Sequence, residues 1–323
     1  MRRFRTPWIV ALAALAAGLA LAASPSKPSA AGEVRATLEL SQQFFYASDP
    51  FPVRLTITNL GSAEASNPIK GGLLTSFQVE ATGGKKLEPS GKPEAAEPAR
   101  PAKLASKAFY GAIVDLSQIY PQLKSRGTFT LRWSADGVKT DDVIVHVIPK
   151  FDPAKDYTAK VETEEGAFVI DLLKNTAPIA VKAFVDTANA GFYDGLLIHE
   201  VRPEQLIAGG DPTGSGGGQG SLRYPAELSA VPVVAGTVVL KPAGLAPPAN
   251  ASQFIVSLRP EPKWTAQFTV LGQVIEGLEI VKRIANLPNM DRPTYRPLKD
   301  IHTIRVTIQE KTPLTAPAPA AGG

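Results

Sequence analysis

A chain of 323 residues is long enough for two hydrophobic cores, and 44% apolar with 20% charged residues is ordinary for soluble globular protein. The absence of cysteine excludes disulfides, thiol catalysis and thiolate zinc sites together. Three of the 34 lysines and arginines crowd the start of the chain, leaving 31 against 30 acids, so the excess of positive charge marks no basic face for nucleic acid.

That basic head is Arg2, Arg3 and Arg5, and an apolar run of mostly Ala and Leu follows from Trp8 to Ala23. Small residues come next, in Ala-Leu-Ala-Ala-Ser and Pro-Ser-Ala-Ala. The layout is that of a secretory signal, too short for a comfortable membrane span. Residues 1–32 are therefore read as signal peptide and flexible lead, and the chain as exported to the periplasm, cell surface or medium. An uncleaved anchor is the alternative, and the only membrane association expected.

Residues 33–149 show short alternating strands. Val53, Leu55 and Ile57 point one way while Arg54, Thr56 and Thr58 point the other. Asn59-Leu60-Gly61-Ser62 marks a turn. Phe129, Leu131 and Trp133 share a face, with Trp133 expected in the core. After Asp136-Gly137, the valines 143, 145 and 147 alternate with Ile144 and His146. Several strands at this spacing predict a small β-sandwich, immunoglobulin-like in the loose sense. The segment 83–103, rich in Pro, Ala, Glu and Lys, reads as a long polar loop.

Residues 150–158 form the expected linker. A hairpin follows over 159–173. Ala177 to Ala190 has a helical apolar period at Val181, Phe184, Val185 and Ala188. Pro178 suits its first turn and Gly191 its exit. A second helix fits Leu278 to Asn286, and a closing strand Thr303 to Ile308. Residues 310–323 are an Ala/Pro tail with no core-forming content.

The densest stretch is GFYDGLLIHEVRPEQLIAGGDPTGSGGGQGSLRYPAE, residues 191–227. Its glycine-rich loop, 209–216, lacks the Gly-Lys-Ser/Thr ending of a phosphate cradle, and no helical pattern follows directly. His146, His199 and His302 are too scattered for a metal site, and Asp171 with Glu227 makes no evident acid–base dyad. Asn250-Ala251-Ser252 fits a glycosylation sequon within a strand pattern.

In the order of its residues this stretch resembles the central segment of the cyclophilins, the peptidyl-prolyl cis/trans isomerases. APIAVKAFVDTANAGFYDG resembles the family's first helix and its exit, Gly236 to Leu240 the strand before its groove, Asn250 to Val256 its SQFFI strand, and Phe268 to Val274 its TVFGKV strand. The resemblance covers 159–309. It implies a mainly β chain whose second half is a closed eight-stranded β-barrel with two capping helices. It also implies isomerisation of X–Pro bonds in segments of other exported proteins, without cofactor or metal.

Rotating that bond must overcome roughly 18–20 kcal/mol of resonance-held planarity. The family's donor to the proline nitrogen is an arginine, a planar and permanently charged fork. By resemblance its histidine is His199, but its arginine position is Glu200, which when ionised only accepts. The pocket residues fall on Gln205, Leu206, Ala208, Gln253, Phe254, Ile255 and Phe268, with Trp264 at the family's tryptophan or the leucine beside it. Side chains two apart on a strand share a face, so Arg202 projects beside Glu200. Two readings follow. Arg202 takes over as donor with Glu200 holding its stem, or the two are a surface pair on a groove that binds peptide or protein without turnover. On either reading activity is expected to be weak or absent.

Overall fold

The computed structural model describes residues 34–42, 44–90, 99–218, 223–243 and 249–311. The signal layout, part of the polar insert and the tail beyond Lys311 lie outside these residues. The chain divides into two compact units, the first ending at Val145 and the second starting at His146, apart from the short stretches Tyr46–Asp49 and Lys124–Thr128 that join the second.

The first unit is β throughout, with short 3-10 turns. In chain order its strands are β1 (Val34–Leu40), β2 (Phe44–Tyr46), β3 (Pro52–Asn59), β4 (Ala65–Ser66), β5 (Phe77–Ala81), β6 (Lys85–Leu87), β7 (Lys103–Leu104), β8 (Phe109–Asp115), β9 (Gly127–Ala135), β10 (Val138–Lys139) and β11 (Val143–Ile148). One sheet has the order β1-β3-β8, a second β2-β11-β9-β5-β6 with β10 on β9, and β4 pairs β7. The period of two is visible in burial. Val53, Leu55 and Ile57 are fully buried while Arg54 between them is exposed, and Trp133 is fully buried with Leu131. Asn59 closes β3 as a buried polar plug. Its amide donates to the carbonyls of Ala63, Leu104 and Ala105, and its oxygen accepts from Gly61 N–H, which satisfies a group that would otherwise be costly to bury.

The second unit contains β12 (Tyr157–Thr163), β13 (Gly166–Leu172), α1 (Pro178–Asn189), β14 (Glu200–Arg202), β15 (Leu206–Gly209), β16 (Tyr224–Pro225), β17 (Thr237–Pro242), β18 (Ala249–Ser257), β19 (Thr269–Glu276), α2 (Leu278–Ala285) and β20 (Thr303–Glu310). The sheet runs β14-β15-β18-β17-β19-β13-β12-β20, with β16 on β18. It curls, because the chain entering β14 meets the chain entering β20. Leu197 bridges His302, Ile198 N–H bonds to Ile301 O at 2.9 Å, and Thr303 N–H to Leu196 O at 2.8 Å. The first strand begins at Tyr157, inside the expected linker. The Tyr157 ring is buried against Phe151, and its hydroxyl accepts from Asp152 N–H at 3.0 Å, so these residues belong to the core.

Both helices bury one face in the inner cluster, α1 through Val181, Phe184 and Val185, and α2 through Val281, Ile284 and Ala285. The residue before α1, Ala177, offers no side-chain cap. Glu227 supplies one from 50 residues away in sequence, accepting from Ile179 N–H at 3.1 Å and Ala180 N–H at 2.8 Å. A carboxylate there satisfies orphan donors and complements the helix dipole.

Candidate functional site

The strand registers build a two-faced sheet. Glu200 stands opposite Ala208 and Arg202 opposite Leu206. Ala208 then stands opposite Ile255, Ile255 opposite Val239, and Val239 opposite Val270. Residues directly opposite share a face, so one row crosses from Glu200 to Val270. Leu206, Ala208, Val233, Val239, Ile255 and Val270 form an apolar cluster there, with Trp264 and Phe268 packed on it. Those two rings stack at 5.0 Å between centroids. Their neighbours in sequence, Val201, Ile207, Phe254, Val256 and Val238, face the other way into the inner core.

This alternation separates the residues that the resemblance grouped. Leu206, Ala208, Ile255, Trp264 and Phe268 meet in one cluster, with Glu200 and Arg202 at its edge. Phe254 does not join them. It lies in the inner core, 2% exposed and in edge contact with the Tyr193 ring, because one step along a strand reverses the side-chain direction. Gln205 sits half-buried just before β15, its carbonyl accepting from Leu258 N–H at 2.7 Å.

Glu200 and Arg202 are an ion pair, with Arg202 Nε donating to Glu200 Oε1 at 2.5 Å. The guanidinium carbon also lies 4.6 Å from the centroid of the Tyr295 ring, a cation–π distance. Tyr295 is held beside β14 by its carbonyl, which accepts from Val201 N–H at 2.9 Å. The carboxylate and the ring thus fix the arginine from two sides, and its terminal nitrogens are not consumed by the Glu200 contact.

A polar corner adjoins the row. Gln253 is 2% exposed, and its amide donates to the carbonyls of Gly216 and Gly218. Lys241 Nζ donates to the same Gly216 carbonyl at 2.7 Å. The loop carrying them is organised by Asp211, fully buried, which accepts from Thr213 N–H at 2.7 Å and Gly218 N–H at 3.0 Å. Burial opposes the charge on Asp211, but these hydrogen bonds outweigh it and hold its carboxyl below the ordinary range. Among the described residues no group of three or more His, Asp or Glu is placed to hold a metal, and no helix is long and apolar enough to cross a membrane.

His199 lies at the foot of β14, 5% exposed, with no side-chain hydrogen bond of ordinary geometry at either ring nitrogen. Burial lowers its proton affinity below the ordinary value of 6.5, and the Lys241 charge lowers it further, against weaker pulls from Asp211 and Glu200. The unfolded chain then binds the extra proton more readily than the folded one. Stability is full above the unfolded value and declines as pH falls through it toward the folded value. Urea unfolding between about pH 7.5 and 5.5 is expected to show this decline, and His199→Asn to shallow it. An equal slope in the variant would assign the effect elsewhere, His146 being the other histidine lowered by burial.

The model of the cyclophilin type peptidyl-prolyl cis-trans isomerase/CLD family matches residues 158–308. A peptidyl-prolyl cis-trans isomerase of Schizosaccharomyces pombe is 34% identical over 150 residues, covering 45% of this chain and 96% of that protein. A peptidyl-prolyl cis-trans isomerase-like protein of Neurospora crassa is 35% identical over 138 residues, covering 41% of this chain and 85% of that protein. A solved cyclophilin-type isomerase of Cryptosporidium parvum is 23% identical with a TM-score of 0.46, over 49% of this chain and 99% of its own.

Proposed function

The chain belongs, through residues 158–308, to the cyclophilin-type peptidyl-prolyl cis-trans isomerase family, and on that premise we propose that it is an exported isomerase of X–Pro bonds whose turnover is weak. In this reading the curled sheet is the family's closed eight-stranded barrel, preceded by an immunoglobulin-like sandwich. The apolar row from Leu206 to Phe268 seats the proline ring, and the substrates are proline-containing segments of other exported proteins. Arg202 replaces the arginine that is missing at Glu200.

One observation carries the reading. Arg202 stands on the same sheet face as the apolar row, its stem fixed by Glu200 and its guanidinium laid on Tyr295. A catalyst of this reaction needs an apolar seat for the ring and a fixed donor that localises the lone pair of the proline nitrogen, weakening the resonance that makes the bond planar. A guanidinium held from two sides is such a donor, a planar fork with its N–H groups fixed in direction. Weak turnover follows from its position two residues along the strand and from the acceptor-only carboxylate beside it.

Exchange spectroscopy on an Ala-Pro tetrapeptide with the full chain tests this directly. Enhanced cis/trans exchange is expected at a rate well below that of a family member with the usual arginine. Saturable peptide binding with no enhanced exchange would replace the reading by a non-catalytic binding module on the same fold.

A further inference from the structure

A second feature lies in the first unit, on strand β8. It is the outer strand of the β1-β3-β8 sheet, and it reads Phe-Tyr-Gly-Ala-Ile-Val-Asp. Asn59 N–H bonds to Ala108 O and Leu116 N–H to Phe51 O, both at 2.9 Å. In this antiparallel register the even-numbered residues therefore exchange hydrogen bonds with β3, and Phe109, Gly111 and Ile113 direct their backbone groups outward. The side chains of those same residues are out as well, Phe109 being 71% and Ile113 61% exposed. Sheet edges are ordinarily blunted by lysine, proline or a bulge. None interrupts Phe109 to Val114. At other edges of the unit, β1 carries Arg35 and Glu39, and β6 carries Lys85 and Lys86.

Gly111 adds an independent point. Glycine in mid-strand is unfavourable, so it calls for a reason. Its backbone is not left-handed, and a Cβ built on it meets nothing within 4 Å. Among the described residues nothing requires glycine there.

We propose that β8 pairs antiparallel with β8 of a second copy about a two-fold axis through Gly111. That register sets Phe109 opposite the second copy's Ile113, and Gly111 opposite its counterpart. All three outward residues then form hydrogen-bonded pairs, so backbone direction and side-chain chemistry agree on one alignment. Gly111 acquires its reason, because the Phe109 ring of one copy lies over the bare glycine of the other, as aromatics do in sheets. Lys107, in the turn before the strand with its ammonium on the Leu60 carbonyl, and Asp115, which accepts from Phe51 N–H, flank the seam with opposite charges. The result is one continuous six-stranded sheet with a self-complementary seam.

Sedimentation of the full chain at tens of micromolar is expected to show a dimer. Ile113→Lys puts a charge on the seam and is expected to raise the dissociation constant at least about tenfold, with an unchanged urea midpoint at dilutions where parent and variant are both monomeric, because the side chain is exposed in the single chain. Gly111→Cys supplies the only thiol in a cysteine-free chain. Hydrogen-bonded antiparallel pairs stand about 5.5 Å apart at Cα, within disulfide reach. Oxidation is expected to yield one cross-linked dimer, lost in Gly111→Cys/Ile113→Lys. Association that survives Ile113→Lys, as it would through another edge or the apolar N-terminal run, overturns the proposal. A chain that stays monomeric also overturns it, and leaves this edge to a strand from a different protein.

Discussion

Arg202→Ala is expected to lower kcat/KM for an X–Pro tetrapeptide about 100-fold, to the level of the uncatalysed rate or close to it, since one preorganised donor is worth on the order of 100–1000-fold. The substitution removes the donor without touching the apolar row, so peptide binding should weaken far less than turnover. That split marks an interaction made in the transition state. Arg202→Lys keeps the charge but not the planar fork, and should recover only part of the loss. Glu200→Gln leaves an acceptor for Nε but removes the charge that clamps it, so its effect should be smaller and should fall on kcat. Tyr295→Leu removes the surface under the guanidinium and should act in the same direction. Turnover in Arg202→Ala equal to that of the parent would remove Arg202 from the chemistry, whatever becomes of the fold.

Gly210→Ala is expected to destabilise the second unit by about 3 kcal/mol or more, and in the extreme to prevent its folding. Two costs coincide at this position. Its φ is +83°, where an L side chain is strained. The added Cβ would also stand 2.4 Å from the backbone oxygen of Ser252, in the interior of β18, where moving the chain would disturb the register with β15 and β17. Two comparisons separate the terms. Gly195 has a φ of +76° with nothing near a Cβ, so alanine there should cost only the strain, about 1–2 kcal/mol. Gly111 has neither problem, and Gly111→Ala should be near neutral in monomer stability. Urea midpoints for the three variants give the order, and equal losses at 195 and 210 would mean that contact with Ser252 has no weight.

The sequence discloses those parts of this molecule that are local. The two helices lie close to where the apolar period and the Pro178 and Gly191 signals put them, because helix limits depend on residues within a turn or two. The alternating strands around Val53–Ile57 and Phe129–Trp133 were legible for the same reason. Long-range partners were not. Glu227 reads as the end of a family motif, and its role at the start of α1 comes from a fold that brings residues 47 or 48 positions apart within hydrogen-bond reach. Tyr295 gives no sign in the sequence that it lies beneath Arg202. Phe254 is an instructive case, because residue-by-residue transfer from a motif carries names but not the direction of each side chain. The register of β18 against β15 supplies that direction.

The same register has an evolutionary consequence. Along β15 and β18 the side chains of the apolar row alternate with neighbours sunk in the interior, Ala208 lying between Ile207 and Gly209, and Ile255 between Phe254 and Val256. The scaffold and the working surface are thus interleaved one residue at a time. Exchanging a single side chain of this row changes the cluster beneath Trp264 and Phe268 while leaving the inner-core half of each strand intact. A protein built this way can lose, move or regain a chemical group without renegotiating its architecture, and so shape and activity are free to drift apart.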